Sequence, residues 1–147
     1  MNETGLRNIS TESAPAALGA YNQAVRAEQA TLTGPLYISG QLGLNPHTGE
    51  FVSKGVENQT RQALVNMRAI LQAASGSMKD VVKTTVLLRN INDFQRVNRV
   101  YAEFFNNNDE PARAAYQVAN LPKGAAVEIE AVAYIGIQTS GRIQQFI

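Results

Sequence analysis

The sequence lacks cysteine and tryptophan and contains a single histidine, His47. The absence of cysteine excludes disulfides, thiolate nucleophiles and cysteine-based zinc sites. One histidine cannot supply a site that needs two, and a Ser-His-Asp triad would depend on His47 alone. We therefore expect no metal, and we expect any chemistry to come from carboxylates, arginine, lysine, tyrosine, hydroxyls and backbone groups.

The chain also lacks an excess of charge of either sign and a long hydrophobic run. Its 13 lysines and arginines nearly balance 12 aspartates and glutamates, which leaves a net charge of +1. Such a balance gives no general attraction to nucleic acid or to an anionic membrane. No run of about 18 apolar residues is present to span a bilayer. We expect neither nucleic acid nor a membrane as a partner.

The N-terminal segment carries no apolar stretch of the kind found in secretion signals. Together with the absence of cysteine, this favours the cytoplasm, with an organelle as the open alternative. The length of 147 residues suits one domain with a substantial core. We predict a single domain over residues 1–147, in which residues 1–13 form a flexible N-terminal extension.

Strand and helix patterns alternate along the chain. Two extended runs are predicted over residues 20–33 and 35–43, separated by a turn at Gly34-Pro35. The alternation predicts an α/β or α+β sheet with both helices on one face, so the other face is either solvated or covered by another subunit. The remaining predicted elements are a turn at 45–49, a helix over 57–74 with Gly76 just after its end, a strand over 81–89, a helix from Asn92 to Phe105, a strand over 112–119 and a strand over 125–137.

Two charged residues stand out on the last two predicted strands. Glu128 lies on the face of its strand opposite to the apolar residues, and Arg113 lies among small residues. A guanidinium matches the two oxygens of a carboxylate, and a glutamate can hold or activate a water. The alternative is a structural ion pair between the two, which from spacing alone is the more common arrangement.

Other reactive or aromatic residues have ordinary explanations. His47 falls in a proline-containing turn and is expected to face solvent. Tyr101, Phe104 and Phe105 continue the apolar stripe of the second helix and are expected in the core. The arginines scattered along the helices are expected on solvated faces, and a glycine-rich phosphate loop is absent from the sequence.

Short motifs spread from about residue 14 to about residue 134 form an ordered set. Their number and order are more specific than any single motif. The motifs are Ala14–Val25, Tyr37–Gln41, Glu57–Leu71, Asp80–Val86, Asn92–Phe94 with Val97-Asn98, Pro111–Arg113, and Leu121–Gly124 followed by Val127–Ala131. Together they resemble the Rid family of reactive intermediate deaminases, also called the YjgF family.

The resemblance implies a fold, an assembly and an activity. The fold is α+β, with a mixed sheet and two helices on one face in a chorismate-mutase-like arrangement. Family members form homotrimers with active sites between subunits, which would cover the second face of the sheet. They hydrolyse 2-imino acids such as 2-iminobutanoate and 2-iminopropanoate, formed from enamines such as 2-aminoacrylate, to 2-keto acids and ammonia. The resemblance implies no cofactor and no metal.

The resemblance also implies roles for particular residues. Arg113 matches the arginine that clamps the substrate carboxylate, and Glu128 matches the glutamate that holds the attacking water. Residues that match the family's substrate-binding positions are Tyr21, Ser39, Gly40, Asn98 and Ala115.

Three features depart from the family pattern. Ala115 stands where the family usually has cysteine, so activity depends on whether the backbone or the thiol of that position contacts the substrate. Ala20 replaces a proline, which leaves the loop before Tyr21 less rigid. The segment between Tyr21 and Ser39 is several residues longer than is typical of the family, and we expect the extra length at a Thr33-Gly34-Pro35 turn.

Other functions are compatible with the same fold. One is a non-catalytic trimer that binds a small ligand or regulates another protein. Another is a chorismate-mutase-like enzyme, which the absence of further conspicuous cations around Arg113 disfavours. Nucleic-acid cleavage has been attributed to some family members, but the balanced charge disfavours it here.

Overall fold

The computed structural model describes residues 5–29, 32–106, 108 and 110–136. These residues form a six-stranded sheet of order β1-β2-β3-β6-β4-β5. The β4–β5 pair is parallel and the other pairs are antiparallel, so the mixed α+β sheet that the resemblance implied is confirmed. The elements are β1 (Leu6–Ile9), β2 (Ala24–Gln29), β3 (Leu32–Gln41), α1 (Val56–Ala73), β4 (Val81–Leu88), α2 (Phe94–Phe104), β5 (Ala112–Gln117) and β6 (Val127–Tyr134).

Both helices cover the same face of the sheet. The apolar stripe of α1 is fully buried against β3 and β6, and α2 packs beside α1. On β6, side chains alternate between this buried face and the opposite one, on which Glu128 lies. The opposite face, which we call the open face, carries three exposed tyrosines. They are Tyr37, Tyr116 and Tyr134.

The hairpin of β2 and β3 differs from the prediction. Gly34-Pro35 is not a turn but lies inside β3, and the residues that join the strands, 30 and 31, lie outside the described part of the chain. The register shifts at Ala27, so Gly34 and Pro35 together oppose one residue in a bulge. A bulge tolerates proline because its missing N–H is not needed in the ladder, and Gly34 fits because a Cβ would clash with the Ala27 carbonyl. The Thr33-Gly34-Pro35 segment, where a turn with extra length was predicted, is therefore strand.

The N-terminal segment is also more ordered than predicted. Residues 6–9 are not a flexible extension but form β1, which pairs antiparallel with β2. The N–H of Glu28 donates to the Gly5 carbonyl at 2.6 Å and extends this contact by one more step. The long hairpin thus provides the edge on which β1 is built.

The start of α2 and the end of α1 differ from the predicted capping residues. α2 begins at Phe94 rather than at Asn92, because residues 91–93 form a 3-10 turn capped by the Asn90 side chain. After α1 the residue with a positive φ of 64° is Ser75, not the predicted Gly76. Gly76 instead lies against the Ile135 side chain, where a Cβ would be 2.5 Å from its Cδ1. Within the described residues, no helix is long and apolar enough to cross a membrane.

Candidate active site

Arg113 lies on the helix face of β5, in contact with α2. Its Nη1 donates to Asn98 Oδ1 at 2.7 Å. Its Cζ lies 4.7 Å from the ring centroid of Tyr101 and 5.4 Å from that of Phe94. The three α2 residues, Phe94, Asn98 and Tyr101, follow each other at steps of about one helical turn, so they share one face of the helix and surround the guanidinium together.

The tyrosine beneath the guanidinium is held at its other end. Tyr101 is 7% exposed, and its hydroxyl lies 2.7 Å from the hydroxyl of Thr84. Thr84 is also the β4 register partner of Arg113. Burial raises the pKa of Tyr101, against the smaller opposing effects of the Thr84 hydrogen bond and the Arg113 charge. The phenol therefore stays neutral beneath the cation.

Among the described residues, no carboxylate forms an ion pair with Arg113. The ion pair with Glu128 that spacing alone favoured is absent, because the two side chains leave the sheet on opposite faces. Asn98 uses one donor of the guanidinium, which carries five N–H groups in a planar fork. The remaining donors are suited to a carboxylate supplied from outside the chain.

Glu128 lies on the open face of β6, half-buried against the backbone of β3. A Cβ at Gly40 would be 2.7 Å from the Glu128 Cδ and closer still to its Oε1, so the carboxylate occupies space that only a glycine leaves free. Burial is the main cause that raises the pKa of Glu128, and the charge of Glu130 adds to it. Such a carboxyl can exchange a proton nearer to neutral pH than an exposed one.

A small cavity of about 160 Å³ opens beside Glu128, and most of its wall is apolar. The wall includes Tyr21, whose Oη accepts a hydrogen bond from the Leu18 N–H at 2.9 Å. Ser39, next to Gly40, lies outside this wall, in a neighbouring cleft that Tyr21 and Glu130 also line, and it donates its hydroxyl to the Asn22 carbonyl at 2.5 Å. The other lining residues that matter here are Pro15, Leu44 and Pro122.

Sequence reasoning missed Gln23 as a residue of this wall. Its buried side-chain amide donates to the carbonyls of Thr11, Ala14 and Pro15 at 2.7–3.1 Å and accepts from the Thr11 N–H. These bonds hold the loop that forms one side of the cavity. A single glutamine gives no periodic signal, so the sequence identified Gln23 only as part of the motif Ala14–Val25.

The predicted site residues thus form two groups on one chain. The arginine group is Arg113 with Asn98, and the glutamate group is Glu128 with Tyr21, Ser39 and Gly40. Thr84 and Leu87 of β4 are the partners of Arg113 and Glu128 in the neighbouring strands. From strand spacing and rise, the Cα atoms of Arg113 and Glu128 are about 14 Å apart, with side chains on opposite faces. A single chain does not bring the two groups together.

Ala115 belongs with the arginine group through its backbone. The N–H of Val118 donates to the Leu88 carbonyl at 3.0 Å, which directs the backbone groups of alternate β5 residues toward β4. The N–H and C=O of Arg113 and Ala115 therefore point the other way, to the free edge of the described sheet. The methyl group of Ala115 packs on the core, so the backbone is what this position offers to a ligand.

Two further predictions concern the surroundings of the site. His47 is exposed, as predicted, and Tyr101 and Phe105 are buried, whereas Phe104 is only partly buried. The described residues contain no cluster of His, Asp or Glu that could hold a metal ion. What the structure supplies is a guanidinium that contacts two rings and has no described carboxylate partner, together with a half-buried carboxylate beside an apolar cavity.

Proteins of known name or structure resemble this chain along most of its length. The human 2-iminobutanoate/2-iminopropanoate deaminase is 52% identical over 137 residues, 93% of this chain and 96% of the human one. Reactive Intermediate Deaminase A, chloroplastic, of Arabidopsis thaliana is 50% identical over 85% of this chain and 64% of its own. The crystal structure of E. coli TdcF with bound serine matches at 38% identity with a TM-score of 0.78, over 88% of this chain and 99% of that one. Residues 11–135 match the family model described as Endoribonuclease L-PSP, and the chain belongs to this family, the YjgF or Rid family that its motifs resemble.

Proposed function

We propose that this protein is a 2-iminobutanoate/2-iminopropanoate deaminase that hydrolyses reactive imines to 2-keto acids and ammonia. The observation that carries the proposal is the Arg113 guanidinium, which is held by Asn98 and two aromatic rings and makes no ion pair with a described carboxylate, in a chain that is 52% identical to the human deaminase. A guanidinium with free parallel donors is suited to the carboxylate that every 2-imino acid carries.

The reaction adds water across the C=N bond. Arg113 binds the carboxylate, and Glu128 holds a water against the imine carbon. The water oxygen bonds to that carbon while Glu128 accepts a proton from the water, which gives a tetrahedral aminoalcohol. Glu128 returns this proton to the nitrogen and then relays the remaining hydroxyl proton to the same nitrogen, so that the C=O bond forms as the C–N bond breaks and ammonia leaves. The contribution of the protein is positioning and proton transfer, so no cofactor or metal is required by the proposal.

The active site is completed between subunits of a homotrimer. Supporting this are the two groups on opposite faces of one chain, the free edge of β5 at Ala115 and the exposed tyrosines of the open face. Tyrosines are enriched at protein interfaces, and closed symmetric assemblies bury such edges and faces. In this arrangement Arg113 and Asn98 of one subunit face Glu128, Gly40 and Tyr21 of the next.

A trapping assay tests the activity. An L-amino acid oxidase converts 2-aminobutanoate to 2-iminobutanoate, and semicarbazide captures the imine as an ultraviolet-absorbing product. The protein is expected to lower the rate of semicarbazone formation in proportion to its concentration, because hydrolysis competes with trapping. An unchanged rate at every protein concentration would leave the non-catalytic ligand-binding trimer as the better proposal.

A mixing experiment tests the shared site. Arg113→Ala and Glu128→Gln chains, each inactive alone, are unfolded together in equal amounts and refolded. Random assembly gives sites with both intact residues at about a quarter of the interfaces, so about a quarter of wild-type activity is expected to return. Refolded mixtures without activity, or a stable monomer by solution mass measurement, would contradict a site built from two subunits.

The contact between Gly40 and Glu128 gives a further prediction. Gly40→Ala is expected to displace the carboxylate and to lower both activity and melting temperature, since overpacking of this kind costs about 1–3 kcal/mol. Gly136→Ala is the matched control, because a Cβ there would meet nothing within 4 Å. Equal activity of the two variants would show that the position of Glu128 does not matter.

The proposal also covers the ligand and the compartment, and it excludes RNA as a partner. Three of the four helix arginines pair with carboxylates, Arg61 with Glu103 at 2.9 Å, Arg96 with Asp93 at 3.5 Å and Arg99 with Glu57 at 3.4 Å, which leaves Arg68 as the unpaired one among the described helix residues and disfavours a basic patch for RNA. We propose a small 2-imino acid as the ligand and the cytoplasm as the compartment. The Arabidopsis relative is named chloroplastic, and an organelle is therefore the alternative.

A further inference from the structure

We infer that Tyr101 is a positioning residue, which holds the Arg113 guanidinium in the plane that receives a carboxylate. The inference rests on the proposed function and deepens it, since it assigns a role to a side chain that would otherwise count as core. Tyr101 is buried, and it does not line the cavity beside Glu128. Its role is therefore exerted through Arg113 rather than on the substrate.

The geometry forms a closed loop of contacts around the arginine. The Arg113 backbone is in register with Thr84 on β4, the Thr84 hydroxyl bonds the Tyr101 hydroxyl at 2.7 Å, and the Tyr101 ring lies 4.7 Å below the guanidinium. The same strand position therefore fixes both ends of the arginine side chain. A long side chain at an exposed sheet edge would otherwise sample several rotamers, and this freedom would have to be lost on binding.

Three neighbours contact the guanidinium in different ways. Asn98 fixes one nitrogen in the plane, and the faces of Tyr101 and Phe94 prevent the plane from tilting. Tyr101 is the nearer of the two rings, and it is the one tied to the sheet. The donors that Asn98 does not use thus remain available while two rings contact the guanidinium, which suits bidentate binding of a carboxylate.

Two variants separate the ring from the hydroxyl. Tyr101→Leu removes the ring face, and it is expected to raise KM for 2-iminobutanoate about 5- to 30-fold while kcat changes less, since a cation–π contact of this kind is lost. Tyr101→Phe keeps the ring and is expected to remain within about threefold of wild-type KM, because the ring face is retained. Phe104→Leu is the matched control, because its ring lies 5.5 Å from a different guanidinium, that of Arg68. A KM for Tyr101→Leu equal to that of Phe104→Leu would overturn the inference.

A second background distinguishes positioning from general loosening of the fold. In Arg113→Ala, the further change Tyr101→Leu is expected to have no added effect on kcat/KM, because the ring then has nothing to hold. Additive losses would show that Tyr101 acts through the core and would overturn the inference. Melting temperatures of all variants show which share of each loss reflects stability.

Binding of 2-oxobutanoate, the product, gives a readout that does not need turnover. Calorimetric Kd values for wild type, Tyr101→Leu and Tyr101→Phe are expected to follow the same order as KM. If the Kd values of the three proteins follow this order but the wild type hydrolyses no imine, the proposed function fails and the role of Tyr101 stands. If imines are hydrolysed but Tyr101→Leu leaves KM and Kd unchanged, the function stands and this inference fails. If the wild type shows neither binding of the keto acid nor turnover of the imine, both the proposed function and this inference are overturned.

Discussion

Arg113→Ala is expected to lower kcat/KM for 2-iminobutanoate about 100- to 1000-fold. In the proposed site Arg113 binds the substrate carboxylate with the donors that Asn98 does not use, and loss of a charge-assisted, bidentate contact costs this much when the partner charge is left without a counter-ion. The fold is expected to persist, because Arg113 is exposed and makes no ion pair with a described carboxylate.

The substitution Arg113→Lys sharpens this result. Lysine keeps the positive charge but lacks the planar fork, so we expect it to restore only part of the lost activity. Arg61→Ala is the matched control, since it removes an arginine of α1 that is paired with Glu103 at 2.9 Å, away from both site groups. Wild-type activity of Arg113→Ala, measured in the semicarbazide assay, would remove the basis for a carboxylate clamp at this position.

Glu128→Gln is expected to lower kcat about 100- to 10,000-fold with little change in KM, because in the proposed reaction this side chain transfers a proton and does not bind the carboxylate. The pKa of Glu128 is raised by burial and by Glu130. As pH falls through this raised pKa, the wild type loses the carboxylate that accepts the proton, so its kcat/KM should decline. The residual activity of the variant should lack this decline, and its presence would assign the titration to another group.

The same shift predicts a change in stability of known sign. A carboxyl whose pKa is raised on folding favours the folded state at acidic pH, and this contribution is lost as pH rises through the folded pKa. Thermal unfolding should therefore find Glu128→Gln more stable than the wild type at neutral pH, with the difference shrinking on acidification. If the stability difference between Glu128→Gln and the wild type did not depend on pH, folding would not raise the pKa of Glu128.

Periodicity predicted much of the fold because most elements have one buried face. The alternation of β6 placed Glu128 opposite Val127 and Ile129, and the structure confirms it. The Gly34-Pro35 signal failed because a bulge against Ala27 gives the pair a place inside a strand, and bulges depend on the partner strand. A local pattern carries no information about that partner.

The site was harder to predict than the fold. Strand alternation says that Arg113 and Ala115 share a face, but only the parallel pairing of β5 with β4 turns that face toward α2. For Tyr101, helical periodicity predicted burial correctly, yet its contacts with Thr84 and Arg113 join three separate elements. The resemblance named the site residues without showing that one chain divides them between two faces of its sheet.

The outward-facing backbone at Ala115 has a consequence for the conditions in which the protein works. Flavin oxidases that form imines from amino acids release hydrogen peroxide as well, and peroxide converts exposed thiolates stepwise to sulfenic and sulfinic acids. Here the outward-facing group at this position is a backbone amide, which peroxide leaves intact, and the sequence contains no cysteine. In the proposed function, the protein could therefore act beside an imine-forming oxidase without a reductant to restore a thiol.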